Sequence, residues 1–210
     1  LTALGISYAY MKSQIGSSAT TEIQVEANTV DRFSFITGSP ISFSASPSNF
    51  SAGASNLSGS TTASAKLIAN DSSNTATKNY YVYLNITNNN FVYSDGSTPE
   101  ILLTITDPTG AAVTSLTGYT YLTSKGVSGF DITTKTGLVP IALNHEITSN
   151  NTTDGITQTW NITVTLLALD SDQSANEGKS FNANVMIQKS AYREDQNVVV
   201  DIDQNMIPIM

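Results

Sequence analysis

The sequence predicts an all-β chain: an antiparallel β-sandwich, jelly-roll or immunoglobulin-like, with an extended N-terminal strand. Three observations predict it. Apolar and polar residues alternate with period two in segment after segment. Thr, Val, Ile and Tyr are enriched inside those segments, while Ser, Gly, Asn and Pro cluster between them. Beyond the first few residues, no segment repeats apolar positions at helical spacing over three turns.

The elements follow in chain order. Residues 1–11 are almost all apolar or small and run into a polar stretch. Weak strands are expected at 21–26 and 31–37. Residues 44–60, SASPSNFSAGASNLSGS, read as a long surface loop inside one domain, because the 43 residues before it are too few to fold alone. A strand is expected at 61–69. Residues 78–87, KNYYVYLNIT, place Tyr80, Val82, Leu84 and Ile86 on one face and Tyr81, Tyr83, Asn85 and Thr87 on the other. EILLTIT (100–106) aims Ile101, Leu103 and Ile105 inward, and DPTG (107–110) is a turn with Pro at its second position. The gap from 106 to 157 must hold short strands, with 119–123 and 138–143 as candidates. QTWNITVTLLAL (158–169) aims Trp160, Ile162, Val164 and Leu166 inward. FNANVMIQ (181–188) does the same with Phe181, Ala183, Val185 and Ile187. Between them DSDQSANEG (170–178) reads as a polar hairpin loop. Near the C-terminus VVVDID reads as a further strand and MIPIM as an apolar end. The expected organisation is an N-terminal apolar strand over 1–16 and a single sandwich domain with long polar loops over 17–210.

Composition narrows the function. Only 12% of the 210 residues are charged, against about 25% in an average chain, and Ser, Thr and Asn supply about a third of the total. With 9 Lys and Arg against 17 Asp and Glu, the net charge is −8, which opposes binding to nucleic-acid phosphates. There is no Cys, so disulfides, thiolate metal sites and Cys nucleophiles are excluded. The single histidine, His145, sits in NHEIT, and the HExxH metalloprotease pattern needs a second. A strand-edge or loop position accounts for it. No GxSxG, P-loop or GxGxxG occurs, and no carboxylate pair sits in an apolar setting suited to acid–base work. The chain is therefore not expected to be an enzyme or to carry a cofactor. Oxygen-bearing residues alternate after Asp170 as at the start of a calcium loop, but the Gly and the closing Glu of an EF-hand are out of place. Seven Asn residues stand in N-x-S/T triplets: Asn49, Asn56, Asn70, Asn85, Asn150, Asn151 and Asn161. They are glycan acceptors only where the machinery exists, and chance explains most of them in so Asn- and Ser-rich a chain.

The opening LTALGISYAYMKSQIG is the informative segment. It is too short for a bilayer span, which takes about 20 apolar residues. It reads either as the end of a signal or anchor, or as an apolar tail kept in the mature chain. As an extended strand, Leu4, Ile6, Tyr8 and Tyr10 form a row of large side chains, opposite the small Gly5, Ser7 and Ala9. Burying four such side chains is worth about 6–10 kcal/mol gross. Within one molecule this is an ordinary first strand. Offered to a neighbour, it is strand donation, and a head-to-tail contact that does not close propagates into a filament.

These residues resemble a known family. GISYAYMKSQIGSSATTEIQV is similar to the start of secreted surface proteins related to camelysin and the biofilm-matrix protein TasA, with Met11 where an aromatic is usual. STTASAKLIANDSSNTATKNYYVYLNITNN (60–89) resembles the strand, loop and strand that begin the family's sandwich, and residues 159–188 resemble its closing hairpin. The resemblance covers most of the chain loosely and includes no catalytic motif. It implies a secreted jelly-roll-like subunit, extracellular or at the cell surface. Such subunits polymerise into biofilm-matrix fibres or pili by exchanging the N-terminal strand, as archaeal bundling pili do. The implied partners are identical subunits and other matrix components. The protease activity described for camelysin-like members is not carried over, since this chain lacks HExxH. The competing expectation is a monomeric adhesion or carbohydrate-binding module, with Tyr81 and Tyr83 as its exposed platform.

Overall fold

The computed structural model describes residues 30–192. Among these residues ten strands form two antiparallel sheets, and the sandwich expected from the sequence is what they adopt. The strands are β1 (Arg32–Thr37), β2 (Ile41–Ser44), β3 (Leu57–Ile68), β4 (Ala76–Asn89), β5 (Ile101–Thr106), β6 (Tyr121–Ser124), β7 (Val127–Asp131), β8 (Gly137–Ser149), β9 (Ile156–Leu166) and β10 (Ser180–Gln188). The six-stranded sheet has the order β1-β3-β9-β5-β7-β6, and the four-stranded sheet β2-β10-β4-β8.

The pairing is nested. β3 pairs with β9, β4 with β8, and β5 with β7, so β3-β4-β5 and β9-β8-β7 are the two sides of one long ribbon. The ribbon turns from one sheet to the other between successive pairs, which is the winding of a jelly roll. Its tip is the β6–β7 hairpin, turned at Lys125 and Gly126, both at positive φ (50° and 75°), as a two-residue hairpin turn requires.

Period-two burial follows the pattern in the sequence. Tyr80, Val82, Leu84 and Ile86 of β4 face Ala63, Ala65 and Leu67 of β3 across the core, with Trp160, Ile162 and Val164 of β9 beside them; all are buried. Small residues on β3 suit the aromatic partners opposite. Phe33 and Phe35 of β1 pack edge-on at 4.7 Å and reach Tyr80 at 6.4 and 6.3 Å. At the far end Phe43 stacks on Phe181 at 5.3 Å.

Several expectations are corrected. Residues 159–188 are not a hairpin: β9 and β10 lie in different sheets, so residues 167–179 cross between them. The 44–60 loop is shorter than expected, because Ser44 ends β2, Leu57 opens β3, and Pro47–Phe50 forms a turn of 3-10 helix. Strand β2 itself was not expected. Tyr83 points away from the core but is only 7% exposed, because Tyr192 lies against it at 6.3 Å and donates its backbone N–H to the Tyr83 hydroxyl. The exposed Tyr81–Tyr83 platform therefore does not form. Ile187 faces the core as expected, yet it is only partly buried. The strands expected at 21–26 and near 198–203 lie outside the described residues.

Candidate functional site

Polar side chains gather at the two ends of the sandwich; one group joins the two sheets, and the other joins the six-stranded sheet to the connections that cross between them. At the end where β1 and β4 begin, the Trp160 indole N–H donates to the Tyr80 hydroxyl (3.0 Å), which donates to Gln158 Oε1 (2.8 Å). Gln158 Nε2 in turn donates to the Glu146 carbonyl of β8 (3.2 Å). His145 packs its ring edge-on against Tyr80 (5.3 Å) and Trp160 (5.0 Å). Burial pulls its pKa below the ordinary 6.5, and the more distant Asp107 opposes that only in part. Burial also raises the Tyr80 hydroxyl. His145 thus packs between two aromatic rings on an edge strand, and it belongs to no group of three or more metal-ligating side chains among the described residues.

At the opposite end Glu100 is fully buried. Its Oε1 accepts the Ser94 backbone N–H (2.6 Å), and its Oε2 accepts Gln173 Nε2 (2.6 Å) and Asn176 Nδ2 (2.7 Å). Gln173 Oε1 accepts the Leu169 N–H, and Asn176 bonds the Val92 backbone through both its amide atoms. The Thr133 hydroxyl accepts the N–H groups of Glu100 and Ile101 and donates to Asp131 (2.7 Å). Sequence reasoning missed this cluster. Its signal was a carboxylate opening an otherwise apolar strand, since charges are rarely fully buried without partners. The loop once likened to a calcium site turns its amides inward to Glu100, while Asp170 points outward to Lys125 (2.9 Å) and Asp172 accepts the Ser174 N–H. No group of three or more metal-ligating side chains forms among the described residues.

The acceptor triplets divide by environment. Asn70, Asn150 and Asn161 are exposed. Asn56 is held at both ends of its amide, by the Lys125 carbonyl and the Ala168 N–H. Asn49 accepts from Ser46, Asn151 accepts the N–H groups of Thr153 and Asp154, and Asn85 reaches Asn184 at 3.5 Å. A glycan is joined through the amide nitrogen, so on Asn56 it would crowd the bond to the Lys125 carbonyl, whereas both Asn151 bonds are accepted by Oδ1 and would be kept. Leu4, Ile6, Tyr8 and Tyr10 lie outside the described residues.

Strand edges are the remaining candidates. Of the four outer strands, β2, β6 and β8 are blunted. β8 carries Pro140, register irregularities opposite Val82 and Asn144 at φ 55°; β2 and β6 have four residues each. Two interior strands are only half covered, because β1–β2 crosses from one sheet to the other at Gly38. β1 stops at Thr37 opposite Ala63, so residues 57–61 of β3 have β9 on one flank and, among the described residues, no strand on the other. Likewise β2 reaches only to Ile41 opposite Ala183, so residues 184–188 of β10 have, among the described residues, β4 as their one strand neighbour. The core row of the β3 stretch is Leu57, Gly59 and Thr61; Thr61 Oγ1 is buried and, among the described residues, has no hydrogen-bond partner.

Comparison with known protein families, with curated proteins and with solved structures found no match. Among the described residues no helix is long and apolar enough to cross a membrane.

Proposed function

We propose that this chain is a structural subunit of an extracellular filament, a biofilm-matrix fibre or pilus. In this reading residues 1–11 of one copy add as a strand to the body of the next. The observation that carries the reading is the open flank of β3 at residues 57–61, a ready hydrogen-bonding edge with no proline and no charge to blunt it. The N-terminal segment supplies what such an edge takes: Leu4, Ile6, Tyr8 and Tyr10 on one face for the core side, and small residues on the other. The contact is heterologous, so each added copy presents a fresh edge and growth does not close. The low charge content supports the reading, since stacked copies repel one another little for their size. The role is structural rather than catalytic, and the partners are further copies of the chain and other matrix components.

Deletion of residues 1–11 tests it. The full-length protein should form filaments under negative stain, and the truncated protein should elute as a folded monomer. Filaments of unchanged appearance from the truncated protein would end this reading.

A further inference from the structure

The second open flank, residues 184–188 of β10, differs from the first. Beside it lies a hollow of about 380 Å³ lined by Val30, Asp31, Phe33, Lys78, Asn79 and Lys189. Val30 is 50% exposed, and Ile187, on the core row of β10, is only partly covered although Phe181, Ala183 and Val185 on the same row are buried. The stretch holds no proline, glycine or charge. Natural sheets rarely leave such an edge uncovered. The hollow is also basic for a chain of net charge −8: Lys78 and Lys189 stand on its rim, Lys78 bonded to Asp31 at 3.4 Å.

We propose that residues 21–26 of the same molecule, TEIQVE, add as a strand to β10 along residues 184–188 and complete the four-stranded sheet. Three features select this occupant. Its alternation puts Thr21, Ile23 and Val25 on one face, which fills the space over Ile187 and the hollow. It brings Glu26 to the end of the sandwich that offers two lysines. Its reach also fits. Residues 27–30 must carry the chain from one sheet to the other, and four extended residues span about 13–14 Å, enough for sheets packed about 10 Å apart. Because β1 begins at the end of the sandwich where β10 finishes, the added strand runs parallel to β10. This inference does not depend on polymerisation.

The absence of Cys makes the test direct. Gln24→Cys is combined in turn with Asn184→Cys, Met186→Cys or Gln188→Cys, with Gln24→Cys/Asn161→Cys as the control on the outer face of the other sheet. Folding of each variant is checked by Trp160 fluorescence, and the three partner positions guard against any one misfolding. Under mild oxidation, at least one β10 pair should form an intramolecular disulfide ten-fold or more faster than the control, at a rate independent of protein concentration. Equal rates, or disulfides that form only between molecules, overturn the proposal. A mixture of Ser7→Cys and Met186→Cys single variants covers the rival occupant. A fast, specific dimer there would give the β10 flank to a neighbour's N-terminal strand and likewise overturn it; no such dimer is expected.

Discussion

Replacing Glu100 with Gln isolates the buried carboxylate at almost constant shape. In the native protein its two oxygens accept three N–H groups at 2.6, 2.6 and 2.7 Å, and the side chain has no solvent exposure. A glutamine amide must turn its NH₂ toward one set of these donors. Facing Ser94, it loses one bond and sets two N–H groups against each other; facing Gln173 and Asn176, it loses two. The cheaper choice costs about 1.5–3 kcal/mol for the lost bond to a charged acceptor and about 1–3 kcal/mol for a buried donor left unpaired. Removing a buried charge offsets part of this. The net expectation is a loss of about 2–4 kcal/mol, or a fall in Tm of about 5–15 °C for a domain of this size. Urea unfolding followed through the single tryptophan, Trp160, reads it directly. If Glu100→Gln proves as stable as the parent, desolvation of the carboxylate outweighs its three donors, and the assignment of Glu100 as a stabilising tie is refuted.

Other perturbations have equally definite outcomes. Tyr80→Phe strands the buried Trp160 N–H and removes the link to Gln158, which should cost about 2–3 kcal/mol in urea unfolding. Gly155→Ala should cost about 2–4 kcal/mol, since φ there is +69° and the new methyl would lie 2.5 Å from both the Leu67 carbonyl oxygen and Ile68 Cγ1; an unchanged Tm would contradict that packing. Acidification should destabilise the fold in two windows. His145 is held below its ordinary 6.5, so below about pH 7 the unfolded chain takes up that proton first and stability falls; the step should vanish in His145→Gln. Asp95 is held at about 2 by the Thr98 hydroxyl and the Thr98 and Ser97 N–H groups, so stability falls again between its ordinary 3.8 and about 2. A rise in stability between pH 7 and 5 would contradict the first assignment.

What the sequence could disclose was set by periodicity. β4, β5 and β9 are legible because Tyr80 to Ile86, Ile101 to Ile105 and Trp160 to Leu166 alternate over enough residues to define a buried face. β2 was not, because ISFS is four residues between proline- and serine-rich stretches. Periodicity assigns a face but not what covers it. Tyr83 and Met186 lie on the outward face yet are buried, at 7% and 6% exposure, and Tyr192 lies over Tyr83 from beyond β10. Residues 170–178 looked like a hairpin loop because nearness in sequence favours hairpins. Gln173 and Asn176 are instead fixed by Glu100, 73 and 76 residues earlier, a relation no local pattern carries. The half-covered flanks of β3 and β10 were hidden for the same reason: they exist only because β1–β2 changes sheets, which depends on pairing partners far along the chain.

The nested ribbon has a kinetic consequence. Contacts across its paired strands lengthen outward, from 24 residues apart between Thr104 and Ser128, through 65 between Asn79 and Asn144, to 95 between Ser64 and Thr159. Closing each layer is cheap only once the layer inside it has formed, because loop entropy grows with the length still open. We therefore expect slow folding that zips from the β6–β7 tip toward the termini, with amides of β7 protected before those of β3 in pulsed hydrogen exchange. Simultaneous protection would contradict this order. A chain that closes from its middle leaves its two ends until last, so the opening segment stays available while the body is being made.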